Sequence, residues 1–162
     1  LKPGISPTGL AAYNWTRDRV SPDDRGFLLG LPTSLDLTVN GSSLTLAHGS
    51  PENVREYLYP DTPEEHLAGL LDSTGSDILL CGHTHKPMVR ETRRGLVINP
   101  GSVGKPKDGD PRAAYLILSL EEDRVETDIR RVEYPVDKVA EAIRRAGLPK
   151  NMADSLKRGV SA

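Results

Sequence analysis

Apolar and polar residues alternate at Leu35, Leu37 and Val39 and again at Leu44 and Leu46, with Asn40-Gly41 between the two runs. That pattern predicts a two-stranded hairpin with a tight turn, running on into Ala47-His48-Gly49. Ahead of it, apolar Leu10, Ala11, Ala12, Tyr13 and Trp15 recur at helical spacing, so a helix capped by Thr8 is expected to run toward Val20, after the irregular lead-in Lys2-Pro3-Gly4-Ile5-Ser6-Pro7. Ser21-Pro22-Asp23-Asp24 has the chemistry of a second helix start, ending near Gly30. After a long loop, Thr62-Pro63-Glu64-Glu65 opens a third helix with Leu67, Leu70 and Leu71 on one face and a stop near Gly75.

From Asp77 onward strands predominate. Ile78-Leu79-Leu80-Cys81 is a continuous apolar run, the signature of a strand buried on both faces. Further strands are expected at 88–92, 96–99, 113–120 and 125–132, separated by turn clusters such as Arg93-Arg94-Gly95 and Asp108-Gly109-Asp110-Pro111. The chain closes with a helix over 137–146 and a last short one starting at Asn151 or Asp154 and running toward Arg158.

Composition narrows the function classes. A chain of 162 residues suits a single domain over 1–162, and a formal net charge of -2 argues against a strong nucleic-acid surface or an anionic-membrane surface. One cysteine, Cys81, excludes an internal disulfide and fits a reducing, cytoplasmic setting. No apolar run approaches the length of a membrane span, and Leu1 in place of an initiator Met points to a processed or truncated chain.

Three of the four histidines sit at the ends of predicted strands beside glycine: His48 before Gly49, and His83 and His85 around Thr84 after Gly82. In open α/β sheets ligands gather beyond the carboxyl ends of strands, and neutral imidazole is the commonest metal ligand there. A turning His83-Thr84-His85 segment can serve two adjacent ions, a geometry suited to phosphoryl displacement. The fourth histidine, His66, lies in the amphipathic third helix beside Glu64 and Glu65 and reads as a surface residue. Cys81 ends an apolar strand and reads as a small buried hydrophobe. Tyr57 and Tyr59 in the long loop read as a lid or as cover for the core, and Lys105 and Arg112 as candidate contacts to a substrate phosphate or as solvated surface.

Gly82-His83-Thr84-His85, with Leu46-Ala47-His48-Gly49-Ser50-Pro51 upstream and Asn99-Pro100-Gly101-Ser102-Val103-Gly104 downstream, resembles the small bacterial and archaeal phosphodiesterase branch of the calcineurin-like metallophosphoesterases, from Trp15 to Leu148. The resemblance implies an α/β (α+β) fold, a four-layer αββα sandwich represented here by its C-terminal part. It implies that His48 and His83 ligate one ion and His85 another, drawn from manganese, iron, nickel or zinc. Asn99 would then orient the histidine loop, or serve simply as turn chemistry. The implied reaction is hydrolysis of a phosphate ester, a small molecule or nucleotide, by metal-bound hydroxide.

The family pattern also begins with Asp-x-His, Gly-Asp and Gly-Asn-His blocks, and none of these precedes His48. Gly109-Asp110 spells Gly-Asp but follows the histidines, so its order excludes it. The resemblance therefore implies a site without its bridging carboxylate. An apolar sheet edge or face should be left exposed, to be covered by an N-terminal segment or a homo-oligomer. The alternative is a non-catalytic protein-interaction scaffold, as in the family's retromer subunit. An amidohydrolase built on His-x-His fails, because that motif opens a long barrel chain and here sits mid-chain.

Overall fold

The computed structural model describes residues 4–121 and 124–162. The expected start of the lead-in, Lys2-Pro3, lies outside the described residues. Twelve elements follow in chain order: α1 (Pro7–Arg17), α2 (Pro22–Gly30), β1 (Ser34–Val39), β2 (Ser42–Ala47), α3 (Glu64–Thr74), β3 (Ile78–Leu80), β4 (Met88–Thr92), β5 (Gly95–Asn99), β6 (Ala113–Glu121), β7 (Arg124–Val132), α4 (Val136–Arg145) and α5 (Lys150–Arg158). The first helix begins earlier than Thr8 suggests. Ser6 is the cap, its Oγ accepting from Gly9 N at 3.1 Å, because Pro7 suits the first helical position. Thr8 instead accepts a hydrogen bond from Asn151 Nδ2 at 2.9 Å, tying α1 to α5.

β1 and β2 form the expected antiparallel hairpin. Its turn places Asn40 and Gly41 at φ 48° and 83°, the two positive values a two-residue hairpin turn demands. β2, β3 and β5 are mutually parallel, and β4 closes the sheet antiparallel to β5, giving the order β1-β2-β3-β5-β4. β6 and β7 pair as a separate antiparallel ribbon.

Strand alternation assigns the two faces of the larger sheet. Leu79, Cys81 and Val97 point to one face, where α3 covers them with Leu67, Leu70 and Leu71, joined by Leu58 and Met88. Leu44, Ile78 and Ile98 point to the other, against Leu116, Leu118 and Leu120 of β6. The result is helix on sheet on sheet, a mixed α/β fold containing parallel strands, with the core divided between the two interfaces.

Several apolar positions find no such cover. Neither α1 nor α2 has a buried residue, and Phe27 and Leu29 are 68% and 77% exposed. Leu35, Leu37 and Val39 of edge strand β1 are exposed as well.

The parallel pair β2–β3 starts from a compact clamp. Ser43 N and Ser43 Oγ donate to Asp77 Oδ2 at 2.8 and 2.7 Å, and Asp77 N returns a bond to Ser43 O at 2.9 Å. These bonds, the backbone donor first, hold the Asp77 carboxyl below its ordinary value of 3.8. A depressed carboxyl adds stability above the unfolded-state pKa and loses it as pH falls through the folded one. Asp77→Asn should therefore lower stability at neutral pH by a few tenths to about 1 kcal/mol, the clamp being solvent-exposed. In urea melts at several pH values, the gap between wild type and variant should shrink as pH drops below 3.8.

Candidate functional site

The topology brings the carboxyl ends of three parallel strands to one sheet edge: β2 leads to His48, β3 to Gly82 and His83, and β5 ends at Asn99. Backbone bonds extend the ladder beyond the strands, with Gly82 N donating to His48 O at 2.9 Å and Cys81 N to Ile98 O at 2.8 Å. His48 and His83 consequently meet. Their Nε2 and Nδ1 atoms share a hydrogen bond of 2.8 Å, and the rings sit edge to face with centroids 4.7 Å apart. One of those nitrogens must donate and the other accept, so an ion held between them would displace the shared proton.

The loop behind His48 is wound too tightly for any side chain at Gly49: a Cβ there would lie 2.7 Å from Asn53 O and 2.8 Å from Glu56 O. That winding carries the chain back toward the histidines, where the Tyr57 ring lies 4.1 Å from the His83 ring and stacks in turn on Tyr59 at 5.9 Å. Tyr57 thus packs against His83, and Tyr59 backs Tyr57.

His83 and His85 adopt φ values of 65° and 60°, a left-handed conformation that favours glycine and is strained for a histidine. Tertiary contacts hold the strained turn in place. Fully buried Asn99 donates through Nδ2 to Gly82 O at 2.7 Å and to Thr84 Oγ1 at 3.0 Å, while its Oδ1 accepts from Gly101 N at 2.9 Å. His85 Nδ1 donates to Lys105 O at 2.6 Å, and Lys107 N donates to His85 O at 3.2 Å. With Nδ1 committed as a donor, the lone pair of neutral His85 is on Nε2. Burial is the largest influence on His85 and pushes its pKa down, toward the neutral form.

The structure therefore brings His48 and His83 into contact, and anchors His85, on the same turn, to Lys105 O. Among the described residues, no three His, Cys, Asp or Glu side chains cluster closely enough to hold an ion. The donors fit a borderline transition ion in kind, being imidazole nitrogens with one tautomer fixed by a backbone carbonyl. They do not fit a pair of ions, which needs an anionic bridge. Asp110 is no substitute, because its carboxylate is engaged by Arg112 and Arg131.

The remaining candidates resolve plainly. His66 is exposed and bonds Glu56 at 2.7 Å. Cys81 is buried beneath it, and desolvation pushes its thiol up to about 12. Arg112 is held by both oxygens of Asp110, while Lys105 forms no ion pair among the described residues. Sequence reasoning missed Tyr57 as a partner of His83, and Lys86 and Lys107 beside His85. Only proximity along the chain marked Lys86, and nothing in the pattern marked Lys107. Asn99→Ala should lower stability by about 1–3 kcal/mol, since it strands buried backbone groups. It should also speed amide exchange at Thr84 and Lys86 ahead of the rest of the sheet, as read by hydrogen-exchange mass spectrometry.

Residues 18–123 match the profile of the calcineurin-like phosphoesterase superfamily domain. An uncharacterized protein of Methanocaldococcus jannaschii is 29% identical over 165 residues, covering 91% of this chain and 65% of its own length. The chain thus spans less than two thirds of that relative. The crystal structure of a metallophosphoesterase from Sphaerobacter thermophilus superposes with a TM-score of 0.76 at 29% identity, over 97% of this chain and 72% of that one. A hypothetical protein of Pyrococcus horikoshii OT3 shares the fold, with a TM-score of 0.87 at 22% identity over 98% of this chain and 63% of its own.

Proposed function

The chain belongs to the calcineurin-like phosphoesterase superfamily, and on that premise we propose that the protein is a metal-dependent phosphoesterase acting on phosphodiesters. The observation that carries this reading is the convergence of His48, His83 and Asn99 at the carboxyl ends of adjacent parallel strands, with the strained His83-Thr84-His85 turn held by Asn99 and by Lys105 O. Backbone strain maintained by surrounding bonds is characteristic of functional turns.

A divalent ion from the set manganese, iron, nickel and zinc would supply Lewis acidity toward a phosphoryl oxygen and toward water. His48 and His83 would hold it from the ends of β2 and β3, and Nε2 of His85, the nitrogen its fixed tautomer leaves, would serve a second ion. Asn99 acts as a positioning residue, setting the path of the turn through Gly82 O and Thr84 Oγ1. Tyr57 shields one face of His83 from water. A second ion would draw its carboxylates from outside this histidine cluster, so the full centre extends beyond the residues named here. The single buried thiol supports a reducing compartment such as the cytoplasm, and no helix among the described residues is long and apolar enough to cross a membrane.

A second reading, a protein-binding scaffold on the same fold, draws on the uncovered Phe27, Leu29, Leu35 and Leu37. The two separate on one assay. Purified protein should carry transition metal near stoichiometry by mass spectrometry and hydrolyse bis(p-nitrophenyl) phosphate in a metal-dependent manner. His83→Ala should lower kcat/KM on the order of 100-fold or more. Metal-free protein that no added ion activates would sink the phosphoesterase reading in favour of the scaffold.

A further inference from the structure

The positive charge around His85 has no counterpart in the histidine chemistry. Lys86 follows His85 directly, and Lys105 and Lys107 are stitched to it through the backbone, by the bond from His85 Nδ1 to Lys105 O and the bond from Lys107 N to His85 O. Among the described residues the lysine engaged in an ion pair is Lys157, with Asp137, and the remaining pairs are made by arginines and His66. Lys86, Lys105 and Lys107 have no carboxylate partner in that set. The Lys86 ammonium instead lies 5.7 Å from the centre of the Tyr59 ring.

Such an arrangement is unfavourable on its own terms. Lys105 and Lys107 are half-buried, and taking an ammonium out of water without an anion beside it costs free energy. The three charges also repel one another: Lys107 is lowered first by burial and then by Lys105 and Lys86. Arg112, by contrast, carries its own neutralising Asp110. A set of cations held together without anions, one residue from a site that handles phosphate, is arranged for an anion that arrives with the substrate.

Two of the three lysines line a recess. Lys105 and Lys107 form one wall of a polar cavity of about 150 Å³, and Ser6 and Thr8 at the start of α1 form another. The recess has room for a group of phosphate size, and the amino end of a helix adds favourable polarity for an anion. A duplex or long strand of nucleic acid would need a broad basic face, and the chain's net charge of -2 does not provide one.

We propose that Lys105 and Lys107, with Lys86 adding its charge nearby, form a second anion subsite, which binds a phosphate or pyrophosphate group of the substrate other than the one being cleaved. The identity of the substrate rests on the phosphoesterase reading above; the affinity of the subsite for phosphate groups does not. The preferred substrates are then phosphate esters bearing a further anionic group, such as a nucleoside diphosphate or a bisphosphate, over singly charged diesters.

Calorimetric titration with inorganic pyrophosphate and with inorganic monophosphate tests this on the metal-loaded protein. Wild type should bind pyrophosphate more tightly than monophosphate, and K86Q/K105Q/K107Q should weaken pyrophosphate binding by about 10-fold or more. The charge-preserving K86R/K105R/K107R should restore most of that affinity. Should the triple Gln variant not fold, Lys107→Gln alone must weaken pyrophosphate binding about 3-fold. Pyrophosphate affinity unchanged by the Gln substitutions, or lost equally in the Arg variant, overturns the subsite. Aryl diester turnover by wild type reports on the other reading: turnover without lysine-dependent pyrophosphate binding sinks the subsite alone, and lysine-dependent binding without turnover sinks the phosphoesterase reading and leaves the subsite standing.

Discussion

Register between β2 and β3 is the constraint on which the rest of the structure depends. Ser43 and Asp77 pin the two strands at their amino ends, and the ladder then runs level through Leu44–Ile78, Thr45–Leu79 and Leu46–Leu80. Strands that start level end level, so the residues that follow, His48 and Gly82-His83, emerge side by side. A slip of one residue would turn Leu79 away from α3 and Ile78 away from β6, emptying both halves of the core. Burial on both faces therefore enforces, from a distance, the contact between two imidazoles at the edge.

That edge is where the fold holds strain rather than relieving it. Two consecutive odd-numbered histidines, His83 and His85, adopt a backbone conformation for which glycine would be the easier choice. The bonds that hold them come from outside the turn: Asn99 from β5, and Lys105 from the segment that follows it. The turn is thus shaped by the sheet beneath it and by the loop beside it. The lysines that complete this loop add repulsion, and so the region concentrates both conformational and electrostatic cost in a few residues.

How much of this the sequence disclosed follows a physical line. Period-two and period-3.6 patterns are local, and they identified every element, including the strand buried on both faces at Ile78-Leu79-Leu80. Helix ends were less legible where two capping residues competed, as Ser6 and Thr8 did for α1, because the proline between them decides the matter. The strand order β1-β2-β3-β5-β4 is a non-local property that no periodicity encodes. In the site, residue type and position marked His48, His83, His85 and Asn99. The left-handed backbone, the tautomer set by Lys105 O and the approach of Tyr57 to His83 depend on groups distant in sequence, and so stayed hidden.

The burial of Cys81 has a bearing on which ions this edge can attract. Its side chain packs with Leu79 and Val97 in the core beneath α3, and desolvation pushes the thiol up to about 12. On the proposed metal-binding reading, discrimination among ions would fall to imidazole nitrogen and whatever oxygen donors join it. A cysteine that ended one residue later, at the strand's mouth, would have made this edge a trap for thiophilic ions. On the proposed reading, its place inside the apolar core would be a form of selectivity by exclusion.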